Sequence, residues 1–153
     1  MNEQQLFAGF WEHEARTTQR VFARIPEGST YRPDPKSRTA QQIAWQMICE
    51  ERFIIESLET GRMNWVPTPT PATMAEICAA YDEHVATMPA RWIALPAERW
   101  NGMLDFGGKP RSASQMAWSF LFDLVHHRGQ ITTYLRPMGS TVPSIYGPSG
   151  DEP

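Results

Sequence analysis

An aspartate and a histidine one helical turn apart, Asp123 and His127, carry the strongest chemical signal in the chain. They lie in Asp123-Leu124-Val125-His126-His127-Arg128-Gly129-Gln130-Ile131, inside an apolar-periodic stretch that reads as helix as far as Met138. Residues four apart on a helix share a face, so a carboxylate and an imidazole project side by side and could grip one divalent cation. A lone D-x-x-x-H pair is weak evidence. A second segment adds Gln46, a polar residue in the otherwise apolar run Ile43-Ala44-Trp45-Gln46-Met47. Glu50, one turn further on, can reach the same face. An unpaired carboxylate inside a core costs several kcal/mol, so Asp123 must be paired, metal-bound or at a wet cleft. A metal-free reading stands beside the metal one: Gln46, Asp123 and His127 could satisfy one another by hydrogen bonds alone.

Other residues near this group have plainer readings. His126 points about 100° away from His127 and reads as a surface or supporting histidine. Arg128 is expected to pair with an acid or a helix end, and Gly129 to permit close helix packing. His13 and His84 read as satisfied or exposed histidines, with His13 able to face the same bundle mouth. Trp45 and Trp118 flank the group in helical register and could line an apolar pocket, although packing alone explains them. Ser119, one turn before Asp123, could hydrogen-bond it. No nucleophile elbow, Ser-His-Asp order or phosphate loop is present.

Four helices must position these side chains. The first spans about Glu3 to Arg24, with Leu6, Phe10, His13, Thr17, Val21 and Phe22 as its stripe, and stops at Pro26 and Gly28. The second starts near Thr39, which has capping-box spacing to Gln42, buries Ile43, Met47, Phe53, Ile54 and Leu58, and ends at Gly61. The stiff linker Trp65-Val66-Pro67-Thr68-Pro69-Thr70-Pro71 follows. The third begins around Ala72, with Thr73 and Glu76 as its capping pair. It runs through Ile77, Tyr81, Val85 and Met88 toward Ile93, with a kink or break expected at Pro89. A loop spans Pro96 to Arg111. The fourth opens at Ser112 or Ser114, buries Met116, Phe120, Leu124, Ile131 and Leu135, and closes at Gly139. The segment from Val142 to Pro148 has no period and reads as an extended tail. No strand alternation is visible. The expectation is an all-α, single-domain four-helix bundle over residues 1–153.

Bulk properties narrow the function classes. With 153 residues the chain can bury a real core. A net charge of −3 with scattered cations gives nucleic acid no footprint. The polar start Met1-Asn2-Glu3-Gln4-Gln5 has no signal-peptide pattern, and no apolar run is long enough for a membrane. Cys49 and Cys78 lack C-x-x-C spacing and read as two reduced core thiols of a cytoplasmic protein.

Several stretches together resemble the DinB-like family of bacterial helical bundles. They are Ile43-Ala44-Trp45-Gln46-Met47, the run from His127-Arg128-Gly129-Gln130 to Arg136 with Gly139, the loop Tyr31-Arg32-Pro33-Asp34-Pro35-Lys36-Ser37, and the tail Val142-Pro143-Ser144-Ile145-Tyr146-Gly147. The resemblance covers most of the chain in order, and His-Arg-Gly-Gln is its most specific part. It implies a four-helix bundle, a homodimer, and a divalent metal such as zinc or nickel. The family's metal is held by one histidine on the second helix and two on the fourth. Here those positions hold Gln46, Asp123 and His127. Only His127 keeps the family ligand; Asp123 suits a cation, and a neutral amide at Gln46 is a poorer substitute that Glu50 could support. The resemblance further implies thiol transfer, with a low-molecular-weight thiol as cosubstrate, or metal-dependent hydrolysis of a small electrophile. The alternative is a non-catalytic, metal-free bundle that binds a small ligand or serves a stress response.

Overall fold

Three helices begin on the same local device. Asn2, Thr39 and Thr73 each accept a hydrogen bond from the backbone N–H three residues on, and Gln5, Gln42 and Glu76 reach back to the capping residue's own N–H. Each pair satisfies two donors that the first helical turn leaves free. In the computed structural model, which describes residues 1–152, these caps open α1 (Glu3–Phe22), α2 (Ala40–Thr60) and α3 (Met74–Ala94). The short α4 (Ala97–Trp100) follows, then β1 (Met103–Phe106), β2 (Lys109–Ser112) and the long α5 (Ala113–Leu135). Ser112 caps α5 through the Gln115 N–H. Gly61 ends α2 at φ +77°, a conformation that costs a side-chain-bearing residue about 1 kcal/mol or more.

The four long helices close into a ring in which α1 packs on α3 and α5, and α2 packs on α5 and α3. The fold is therefore an all-α bundle with one small β-hairpin. Phe7 and Trp92 meet edge to face with ring centroids 4.8 Å apart, and Trp11, Trp100 and Trp118 join them to clamp α1 to α3 and α5. Fully burying a side chain of this size stabilises by roughly 1.5–3 kcal/mol.

Four expectations need correction. The inward stripe of α1 is Phe7, Trp11, Ala15, Thr18 and Phe22; Leu6 and Phe10 are half exposed and His13 faces solvent. Two adjacent apolar rows compete on that helix, and the row carrying Trp11 wins because it interlocks with Trp92. On α3, Trp92 is buried and Ile93 exposed. Of the kink or break expected at Pro89, the break is absent: α3 runs on past it to Ala94, since a missing N–H removes only one hydrogen bond from a helix held by packing on both sides. Finally, the stretch from Pro96 to Arg111 is not plain loop. β1 and β2 pair antiparallel, with Phe106 opposite Lys109 and Met103 opposite Ser112. The two-residue turn Gly107-Gly108 has φ of +59° and +77°, the twist that hairpins favour. Leu104 turns inward and is buried; its neighbours on the strand are exposed.

The C-terminal tail is tied down by its polar side chains. Arg24 bonds Thr141 and Glu152, Arg136 pairs with Asp151, and the Tyr146 hydroxyl donates to Glu14 at 2.8 Å. No helix among the described residues is long and apolar enough to cross a membrane.

Candidate metal centre

The packing of α2 against α5 brings Gln46 and Glu50 opposite Asp123 and His127. His127 Nε2 lies 3.6 Å from Asp123 Oδ2 and 3.9 Å from Glu50 Oε2. One ligand atom from each of Glu50, Asp123 and His127 fits within a mutual distance of 4.8 Å. Ligands about 2.1 Å from a tetrahedral ion stand about 3.4 Å apart, so a small inward movement of side chains would bring the three to coordinating distance. The Asp123 side chain is 48% exposed and those of Glu50 and His127 14%, so the group opens to solvent on the Asp123 side.

Which nitrogen of His127 faces the group follows from its other contact. Nδ1 is 2.8 Å from Gln130 Oε1. With a carboxamide oxygen opposite it, Nδ1 is placed as the donor, which leaves Nε2 facing the two carboxylates, where its lone pair could be lent to an ion. Gln130 is held in turn by its Nε2 donating to His126 at 3.1 Å. His126 is thus exposed and supports Gln130 rather than joining the cluster.

Gln46 occupies the centre differently from the sequence expectation of a ligand oxygen. Its Nε2 donates to Glu50 Oε1 at 2.6 Å and approaches His127 Nε2 at 3.3 Å. It closes a hydrogen-bonded network, and the third candidate ligand atom comes from Glu50. Its Oε1, however, is buried with no hydrogen-bond partner, a state that costs about 1–3 kcal/mol. Half a turn of the amide would bring that oxygen to Glu50 and His127. Two anions and a carbonyl-type oxygen would then converge on one point, where a cation is the natural partner. The donor set of two carboxylates and one imidazole is one that zinc accepts, so these residues fit a divalent ion.

Burial raises the Glu50 carboxyl above its usual range, and the nearby Asp123 charge adds to this. The hydrogen bond from Gln46, His127 and Arg38 act the other way. The cause is a half-buried acid beside a second acid, with too little positive charge to offset both.

The surrounding residues sort themselves by helical angle. Arg128, next to His127, turns to the core: its guanidinium is 2.6 Å from Glu14 Oε2, donates to the Glu14 carbonyl at 3.0 Å and meets the Tyr146 hydroxyl at 2.6 Å. The expected acidic partner is therefore Glu14, on α1. Gly129 does not serve close packing, since a Cβ built there would have nothing within 4 Å. His13 is on the outer face of α1, away from the group, and His84 is buried with its Nε2 2.6 Å from Glu51 Oε2. Tyr81 donates to the other Glu51 oxygen at 3.1 Å, and burial holds the Glu51 carboxyl above its usual range.

Of the expected pocket residues, Trp45 lines a cleft with Gln46, and Ser119 lines a shallow depression of about 520 Å³ with Asp123, Phe122 and His126. Ser119 does not bond Asp123; its hydroxyl donates to the Gln115 carbonyl. Trp118 packs against Phe7 and Phe10 and donates to Glu3, so it belongs to the α1 contact. Cys49 and Cys78 are free and half buried; Cys78 packs against the core, whereas the Cys49 sulfur lies 3.1 Å from the Thr68 hydroxyl. Sequence reasoning missed Gln130, although its place three residues after His127 put it on the same face. It also missed Arg38, which no periodicity marks.

The family model described as the DinB family matches residues 1–153. The chain is 25% identical over 152 residues to the uncharacterized protein YrdA of Bacillus subtilis strain 168, covering 95% of this chain and 89% of YrdA. Among solved structures, it superposes on a DinB-like protein of Bacillus subtilis, YjoA, with a TM-score of 0.75 at 15% identity, over 93% of this chain and 98% of that one. A DinB-like protein of Bacillus cereus ATCC 10987 gives a TM-score of 0.73 at 22% identity, over 92% of this chain and 95% of that one. The two structures share the fold, and the family model spans the sequence from first residue to last: the chain belongs to the DinB family.

Proposed function

We propose that the protein is a metal-dependent enzyme that holds one divalent cation, zinc or nickel, between Glu50, Asp123 and His127, with the Gln46 oxygen available as a fourth ligand. One observation carries the reading: two carboxylate oxygens converge on the lone-pair side of His127 Nε2 while Gln130 ties down Nδ1. When bound there, the cation would acidify a water or thiol on its solvent side, the chemistry that thiol transfer to, or hydrolysis of, a small electrophile requires. The protein's own residues do the rest. Gln130 fixes the ring and its tautomer, the half-buried Glu50 supplies charge that water screens poorly, and the exposed Asp123 leaves an open side.

Thermal denaturation with and without zinc chloride tests this. At a zinc concentration about 100 times the dissociation constant, the native state gains about 2.7 kcal/mol, or roughly 5–10 °C for a domain of this size. The competing reading has a specific observation behind it as well: Gln46 already bridges Glu50 and His127 without an ion. That metal-free network predicts no zinc-dependent shift.

Gln130 gives a second test. Gln130→Met removes the acceptor for Nδ1–H and frees the ring. Orienting partners of this kind are worth about 10–100-fold in metal affinity. Titration calorimetry with zinc should show such a loss; unchanged affinity would mean that the Gln130 contact does not orient a ligand.

A further inference from the structure

Gln46 is a wall shared by two features, the cation group and a cleft of about 290 Å³ between α2 and the linker that follows it. Arg38, Trp45, Cys49, Trp65 and Thr68 are among its other lining residues. The size approaches that of small-ligand sites. The two indoles are held in place. Trp45 donates its ring N–H to the Thr68 carbonyl at 3.3 Å, and Trp65 packs edge-on against Phe53 with centroids 5.3 Å apart. Trp65 is nevertheless 45% exposed, so flat apolar surface faces the opening. At the same cleft stands Arg38, exposed and making no hydrogen bond or close ion pair among the described residues, its charge felt by Glu50. A guanidinium offers a planar fork of donors that matches a carboxylate. Rigid aromatic walls suit a flat body and lose little entropy on binding.

We propose that this cleft is the substrate site, and that it takes a small organic acid with a flat body, whose carboxylate pairs with Arg38 while its other end passes Gln46 toward the cation group. The proposal rests on the metal reading for its chemistry; the cleft's own contacts carry the binding, which a cation strengthens. Without a cation, Glu50 and Asp123 repel an anion; a divalent ion cancels their charge. Metal and acid should therefore assist each other.

Benzoate is the probe, followed by two-dimensional ¹H–¹⁵N spectra of the zinc-treated full chain. Benzoate is expected to shift the indole N–H signals of Trp45 and Trp65 and to leave that of Trp118 in place. Benzamide, the uncharged isostere, should bind at least about fivefold more weakly, and Arg38→Gln should weaken benzoate by a similar factor. Arg38 is exposed, so this variant should fold, and losing a cation that acts on Glu50 should leave zinc uptake no weaker than in the parent. Equal binding of benzamide, an unchanged benzoate affinity in Arg38→Gln, or shifts centred on Trp118 would each overturn the proposal. If zinc is not taken up at all, the same titration on metal-free protein decides the cleft separately, because its readout is the indole signals and not the metal.

Discussion

Asp123→Ala is expected to lose at least about 100-fold in zinc affinity while its metal-free form is no less stable than the parent. The two halves of this result have different causes. Asp123 supplies one of only two carboxylates in the group, and without it the site is reduced to Glu50, His127 and a neutral amide, a set too poor in charge for tight binding. Yet its side chain is 48% exposed and its closest approach is to His127, at 3.6 Å. Exposed pairs of this kind are worth about 0–1 kcal/mol. Removing Asp123 also removes a like charge that presses on Glu50, which offsets that loss. The measurement is a pair of melting curves, with and without zinc, for parent and variant. A zinc-induced shift that persists in Asp123→Ala would remove Asp123 from the centre. A collapse of the metal-free variant would show that its role is structural.

Arg128→Met is expected to destabilise the fold by about 3–5 kcal/mol, roughly 6–20 °C in melting temperature. The Arg128 side chain is 2% exposed and holds three elements together: α5, on which it sits; α1, through Glu14; and the tail, through Tyr146. Removing it leaves the Glu14 carboxylate, itself 10% exposed, buried with only the Tyr146 hydroxyl for company. The penalty is mainly that of the abandoned charge, so a double variant, Glu14→Leu with Arg128→Met, should recover much of it. Denaturant unfolding of the two variants checks this. A single variant within 1 kcal/mol of the parent would mean that the buried pair is not what pins the tail.

The same two residues explain what the sequence can and cannot disclose. His127, Arg128, Gly129 and Gln130 are consecutive, but a helix turns by about 100° at each step. His127 and Gln130 thus belong to the candidate centre, Arg128 to the core, and Gly129 to open surface. Periodicity places the first of these correctly because Asp123 and His127 are a turn apart. It does not reveal that an arginine beside them is buried, since the acid that permits this is Glu14, more than a hundred residues away in the chain. The caps at Thr39 and Thr73 are local and legible for that reason. So was the hairpin, in principle: Gly107-Gly108 is a two-residue turn signal. Its flanks, Met-Leu-Asp-Phe and Lys-Pro-Arg-Ser, alternate too weakly to advertise strands because one residue alone, Leu104, is buried across β1. The choice of inward face on α1 was undecidable locally, being set by the fit of Trp11 to Trp92 on another helix.

Glu50 shows the same limit at the centre itself. Its spacing from Gln46 allows it to reach the group. Its closeness to His127 depends on how α2 meets α5, and that is a property of the packed bundle.

The central claim is that a divalent ion resides among Glu50, Asp123 and His127, and elemental analysis tests it most directly. Parent and Asp123→Ala protein, purified without a nickel column and dialysed against buffer containing a trace of zinc, are weighed for metal against protein. The account predicts close to one zinc per chain in the parent and next to none in the variant. A parent that stays metal-free, or a variant that retains as much zinc as the parent, would contradict it.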